Sequence, residues 1–383
     1  MHGESGSVRE LPLSEYRPVS ELVTDWNVPE AARFPVIDSH THLGRWLASW
    51  VGRSKEWLVD DVESWLTAMS EYNVQAFVNL DGRWGDELEQ NLERFDRAHP
   101  GRFATFTHAD WSSFTASGSV SGIIDVLGGS ARAGAAGLKV WKDLGLLVYD
   151  SDGDLVMPDD PRLFDLWEAA GDLGLPVWWH VADPVAFFKP VDGRNENYEL
   201  LVACPDWAFS GPAYPTFDRL IQSLETVVAS HPATTFVAVH GGCYAENLGW
   251  VGRMLDDYPN LNIDIAARLA QLGRQPRGAR ELIMRHPSRV LFGSDELPPT
   301  GSGYAHDPYY ARQYRRHFQF LESADEGFAH CDDQDPLAMG RWTIAGLDLP
   351  EDVLHAVYSG NAARLLPQLA VAAQGSSTKR VDR

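Results

Sequence analysis

The chain has 383 residues, 44% of them hydrophobic and 22% charged, the balance of an ordinary globular protein. A formal net charge of −22 at pH 7 disfavours nucleic acid and acidic membrane surfaces as partners. No apolar run approaches the roughly 20 residues that span a bilayer. The three cysteines, Cys204, Cys243 and Cys331, are too scattered for a disulfide framework, and Met1–Glu10 carries no apolar export signal, so a cytoplasmic protein is expected.

In chain order, residues 1–33 read as an arm. The first strand, Pro35–Ser39, runs into His40-Thr41-His42-Leu43-Gly44. Side chains two apart on a strand share a face, so His40 and His42 project together, close enough to hold one ion, with Gly44 letting the chain turn. Apolar runs between turn signals predict further strands at Val74–Leu80, Arg102–His108, Ala136–Trp141, Leu175–Val181, Thr234–His240, Leu261–Ile265 and Arg289–Ser294. Helical patterns fall in the intervals: Val59–Glu71, Asp86–Ala98, Val120–Ala133, Pro161–Leu173, Phe217–Ser230, Ala245–Asp257 and Arg277–Arg285. Strict alternation of eight strands with helices predicts an α/β fold, a (β/α)8 TIM barrel over residues 34–370. Long insertions follow the fifth strand (Ala182–Thr216) and the eighth (Glu296–Pro350), and 371–383 reads as a disordered tail.

In such a barrel every strand's C-terminal end opens on one mouth. The fifth strand ends at His180, the sixth at His240 and the eighth at Asp295. Four histidines and an aspartate at strand ends make a candidate metal set of His40, His42, His180, His240 and Asp295, since divalent metals favour imidazole and carboxylate donors. His99, His231 and His286 each precede a proline that closes a helix and are read as structural, as are His306, His317, His330 and His355. His108 is a possible substrate contact.

These strand ends, with Gly360-Asn361-Ala362-Ala363-Arg364-Leu365-Leu366 near the C-terminus, resemble the amidohydrolase superfamily, in particular its amidohydrolase family 2 branch. The resemblance implies His40, His42, His180 and Asp295 as ligands of a divalent metal, zinc first, with iron or manganese as alternatives and a second ion left open. His240 is then a ligand or the group that polarises substrate. A metal lowers the pKa of bound water towards neutrality, and Asp295 is placed to serve as acid and base. In dinuclear members a lysine on the fourth strand is carbamylated and bridges two ions; Lys139 occupies that strand. Lys139 and Trp141 share a face, with Lys142 on the alternate one, and Asp38 is expected to support the ligands from behind.

For substrate binding the candidates are Lys139, Trp141, Phe187, Arg194 and Arg268: aromatic walls with cations for an anionic group. Lys189 is a further basic residue in the loop after the fifth strand. The aromatic run Tyr304, His306, Tyr309, Tyr310 and Tyr314 reads as a lid or a subunit contact. The expected function is a metal-dependent hydrolase, or a nonoxidative decarboxylase, of a small carboxylated molecule. The alternative is a dinuclear iron or manganese/iron oxygenase, or its companion subunit, with Glu196 as the extra carboxylate. Expected assembly is a homo-oligomer, or a hetero-oligomer with a related barrel subunit.

Overall fold

Nine strands run parallel in the computed structural model, which describes residues 11–12, 15–16, 19, 21, 23–50, 57–295, 297, 308–332 and 338–373. They are β1 (Val36–Thr41), β2 (Val74–Asn79), β3 (Phe103–Thr105), β4 (Thr107–His108), β5 (Leu138–Val140), β6 (Val177–Trp179), β7 (Phe236–Ala238), β8 (Leu261–Asp264) and β9 (Val290–Leu291). Only Phe106 separates β3 from β4. Its N–H donates to Asn79 O at 2.9 Å, whereas the next N–H, of Thr107, donates to Gly137 O at 2.9 Å. The two halves are therefore one stave that changes partners, which leaves eight staves, as the alternation predicts.

The ring closes between first and last strand. Ser39 N donates to Phe292 O at 3.0 Å, and Asp295 N donates to His40 O at 2.9 Å. The Ser39 hydroxyl adds a bond to Phe292 O at 2.6 Å. These bonds complete the TIM barrel.

The helices lie outside for the reason their sequences give. Phe217–Ser230 buries Leu220, Ile221, Leu224, Val227 and Val228, one stripe at helical period. Thr216 caps its start by accepting from Arg219 N at 3.2 Å, and His231-Pro232 ends it. His231 Nδ1 then meets the Val227 carbonyl at 2.8 Å and satisfies one of the helix's open acceptors, a structural role.

Inside the barrel, Ile37, Val78, Phe106, Trp178, Val237 and Leu291 pack with Ala362, Leu366 and Leu369. The C-terminal segment thus plugs the end of the barrel opposite the strands' C-termini. Asn361 pins it there by donating to Pro287 O at 2.8 Å and Val290 O at 2.7 Å.

The insertion after β9 carries more structure than a loop. It contains the helix Pro308–Glu322 and an antiparallel pair, β10 (Glu326–Ala329) with β11 (Thr343–Ala345). In the segment ahead of β1, Trp26 Nε1 donates to Glu326 O at 3.0 Å and Asn27 N donates to Asp325 Oδ2 at 2.6 Å. Residues 371–373, read as disordered from sequence, belong to the short helix Ala370–Ala373; the rest of that tail, like Met1–Glu10, lies outside the described residues. Among the described residues no helix is long and apolar enough to cross a membrane.

Candidate active site

Three imidazoles turn the same nitrogen towards one carboxylate. His40 Nε2 lies 3.3 Å from Asp295 Oδ1, His42 Nε2 lies 3.2 Å from the same oxygen, and His240 Nε2 is 4.0 Å from Asp295 Oδ2. Each ring is held from behind through Nδ1: His40 by Asp264 Oδ2 at 2.7 Å, His42 by Asp81 Oδ1 at 2.7 Å, His240 by Ala266 O at 3.0 Å. Such backing fixes each ring's orientation and turns each Nε2 to the common point. His180 differs. Its Nε2 faces Asp183 Oδ1 at 3.1 Å, and its ring packs edge-on to His240 with centroids 4.3 Å apart.

Asp264 joins two of the rings. While Oδ2 holds His40, Oδ1 accepts from His240 N at 2.6 Å and Ala266 N at 3.1 Å. The bond to His240 N offsets a backbone cost there, because His240 sits at φ 60°, in the left-handed region unfavourable for side chains with a Cβ; Asp295, at φ 61°, lies in the same region. Strained backbone held by dense surroundings is characteristic of functional sites. Two glycines give room rather than turn freedom. A Cβ on Gly44 would meet Asp81 Cβ at 2.6 Å, and one on Gly293 would meet His40 Cβ at 2.9 Å. Gly44 therefore serves close approach and not the turn expected from sequence.

Electrostatics concentrate here. Burial alone would depress His42, but Asp81 and Asp295 outweigh it and hold its pKa up at about 9. Burial opposes ionisation of Asp295 too, yet His40, His42 and Lys139 carry its pKa well below the usual carboxylate range. Burial lowers His40, and with Lys139 and the neighbouring imidazoles it holds His240 well down. The pull of the paired carboxylates on positive charge at His42, together with the converging Nε2 atoms, suits a divalent cation, and His40, His42 and Asp295 have donor atoms close enough to share one.

Above this floor opens a cavity of about 320 Å³. Trp141, Phe187, Trp207 and Met339 supply apolar walls, and Arg268, Lys142 and Asp183 supply charge. Arg268 is buried, and among the described residues its guanidinium donates from Nη1 to Ala267 O at 2.7 Å.

Several sequence expectations need correction. Arg194 is exposed and outside the cavity, at a turn where its own N–H donates to Asp192. Glu196 pairs with Arg274 at 3.0 and 3.2 Å on the surface, so the carboxylate nominated for an oxygenase centre is not at the site. Lys139 is buried and outside the cavity lining; among the described residues its Nζ has no hydrogen-bond partner, and burial lowers its pKa to about 8. Lys142, placed on the alternate face, does line the cavity, because β5 ends at Val140 and the chain turns; it pairs with Asp183 at 2.5 Å. Asp38, by contrast, does stand behind the ligands: buried, it accepts from His40 N at 3.2 Å and from Ser294 Oγ at 2.6 Å. His108 bonds the Leu80 carbonyl at 2.5 Å and stands edge-on to Trp46, outside the cavity lining. His317 and His330, read as structural or surface residues, both line the cavity. The signal was the i, i+4 pair Gln313 and His317 on a helix, hidden because that segment reads as loop. Of the aromatic run, Tyr304 and His306 lie outside the described residues, and Tyr314 is fully buried in the core.

The profile described as amidohydrolase matches residues 37–368. No curated protein matches the sequence. Among solved structures, 2,6-dihydroxybenzoate decarboxylase complexed with 2,6-dihydroxybenzoate is similar over 87% of this chain and 99% of that one, at 14% identity and a TM-score of 0.54. The 2,6-dihydroxybenzoate decarboxylase from Rhizobium gives the same coverage and identity with a TM-score of 0.53. The apo form of Metarhizium anisopliae IDCase covers 87% of this chain and 97% of its own at 12% identity, with a TM-score of 0.51. At these identities the likeness is one of fold. The family match, spanning nearly the whole barrel, carries the assignment: the chain belongs to the amidohydrolase family and is an enzyme of hydrolase or lyase type.

Proposed function

We propose that the enzyme is a metal-dependent hydrolase or nonoxidative decarboxylase of a small carboxylated molecule with an apolar body. The observation that carries this reading is the convergence of His40, His42 and His240 through Nε2 on Asp295, each ring braced behind. We assign His40, His42, His240 and Asp295 to hold the ion, with His180 a further ligand once its Nε2 turns from Asp183, zinc first, with iron or manganese as alternatives. When bound, a divalent ion supplies Lewis acidity and acidifies water. His240 is placed with the ligands because its Nδ1–H is committed to Ala266 O, so Nε2 offers a lone pair and no proton.

Asp295 is ionised at neutral pH, and its side chain is 25% exposed towards the cavity. In hydrolysis it takes the proton of the attacking water and passes it to the leaving group. In decarboxylation the bond to the carboxylate breaks, CO2 departs with neither electron of that bond, and Asp295 relays a solvent proton to the carbon left with the pair. Arg268 binds the substrate carboxylate with the donors that Ala267 does not occupy, and Trp141 and Phe187 hold the apolar body.

Metal analysis tests the reading on wild type and on Lys139→Ala. Failure of the wild type to retain or take up any divalent ion sinks it. Loss of a second ion in the variant marks Lys139 as a bridge; an unchanged single ion removes it from the ligands. With an active substrate in hand, CO2 release against incorporation of oxygen-18 from water separates the two reactions.

A further inference from the structure

The helix Pro308–Glu322 brings to the same cavity a group that this chemistry does not use. His317 is 2% exposed, and its Nδ1 lies 2.8 Å from the Gln313 carbonyl one turn earlier. A carbonyl only accepts, so Nδ1 carries the ring proton and Nε2 is left as an acceptor. That Nε2 is buried and, among the described residues, meets no hydrogen-bonding group. Burial, with Arg316 nearby, lowers the ring's pKa to about 4, which keeps it neutral and accepting. The ring also stands edge-on to Phe292, 5.6 Å between centroids, three residues ahead of Asp295. Its position is therefore fixed relative to the strand end that carries the candidate acid–base group. A buried acceptor without a donor is unfavourable, and an apolar side chain would avoid the cost.

We propose that His317 determines specificity by accepting, through Nε2, a hydrogen bond from a hydroxyl or N–H group of the substrate. The inference rests on the cavity being the substrate site. It adds a second recognition point to Arg268, so the preferred ligand is bifunctional: an apolar body carrying a carboxylate and, apart from it, a hydroxyl or amino group. A site built to pair such a donor rejects analogues that lack one.

Tryptophan fluorescence titration tests this on the metal-loaded protein, since Trp141 and Trp207 line the cavity. The probes are the 2-, 3- and 4-hydroxybenzoates against the matching methoxybenzoates, and phenol against anisole. Wild type is expected to favour a hydroxyl probe over its methyl ether by about tenfold or more. His317→Phe should reduce that ratio to near one, while His317→Gln, which keeps an acceptor, retains most of it. Nitrogen-15 NMR of histidine-labelled wild type gives a readout that a merely structural ring would not move: the His317 Nε2 resonance shifts upfield with the hydroxyl probe and not with the ether. Absence of a hydroxyl preference in both series, including absence of binding, overturns the proposal, as does a preference that survives His317→Phe. A hydroxyl preference confined to phenol, with benzoates unbound or insensitive to Arg268→Gln, upholds His317 and overturns the carboxylate reading. Benzoate binding that needs Arg268 but ignores the hydroxyl does the reverse.

Discussion

Tyr314 Oη donates to Asp38 Oδ2 at 2.9 Å, tying the helix that follows the last barrel strand to the first strand of the barrel. Asp38 lies fully buried, and its oxygens also accept from Ser294 N at 3.0 Å and Ser294 Oγ at 2.6 Å. Tyr314→Phe removes one donor from a buried carboxyl group and should cost about 1–3 kcal/mol of stability. Urea unfolding of the two proteins measures it; an unchanged midpoint would show that the bond contributes nothing net.

Asp264 is not among the residues lining the cavity, yet its carboxylate holds the His40 ring and accepts from the His240 backbone N–H. Asp264→Ala should weaken divalent-metal affinity by about 10–100-fold, the usual effect of removing a group that orients a ligand. Competition with a chromophoric chelator reports the affinity, and circular dichroism checks that the barrel persists. Equal affinity would remove Asp264 from any role in positioning.

Gly44→Ala tests close approach without touching a candidate ligand. The added methyl would sit 2.6 Å from Asp81 Cβ and 2.9 Å from Asp81 O, so either strand end or loop must move. The variant is expected to lose metal affinity through the displaced Asp81–His42 pair and to lose about 1–3 kcal/mol of stability, the usual cost of overpacking. Wild-type values for both would mean that the turn relaxes freely.

Asp96 sets a pH dependence of its own, outside the cavity lining. Burial raises its pKa to about 6, against bonds from Thr105 N and Thr105 Oγ1 that favour the ionised form. A carboxyl whose folded pKa lies above its unfolded value contributes stability below the unfolded pKa, and that contribution is lost as pH rises through about 6. Relative to wild type, Asp96→Asn should therefore gain on the order of 2–3 kcal/mol between pH 4 and pH 7. Urea midpoints at the two pH values give the difference directly; a pH-independent difference would show that Asp96 titrates normally.

Arg194→Ala and Glu196→Gln should leave activity within about twofold of wild type, as surface changes away from a site generally do. Both residues lie outside the cavity, Glu196 on the Arg274 guanidinium. A large loss of kcat/KM in either would place residues 194–196 over the substrate.

The comparison of sequence and structure divides along a physical line. The eight staves and seven intervening helices were readable because each buries a periodic apolar face, as Phe217–Ser230 does. Strand-end residues were readable because a parallel barrel collects all its C-terminal ends, which is why His40, His42, His240 and Asp295 meet. Hidden were the contributions of long insertions. Arg194 and Glu196 had suitable chemistry, but nothing local says which way a loop folds. His317 lies on a helix whose buried face packs on Phe292 and Tyr358, partners far away in sequence. The braces Asp81 and Asp264 were equally silent, being single acidic residues just beyond or at a strand end with no pattern of their own.

The seam where β1 meets the last strand has a consequence for how the protein matures. Residues 38–40 bond residues 292–295 across most of the chain's length, and the candidate ligands His40, His42 and Asp295 straddle that join. Contacts so distant in sequence bear the largest loop-closure cost and form late. A nascent chain that has not yet released its eighth stave lacks Asp295 and so lacks the complete ligand set, however well the first seven have folded. An ion held there acts as a clasp on the finished cylinder, stabilising the closed ring over the open one. Were metal bound there, its loading would mark the completion of the fold as well as readiness for chemistry.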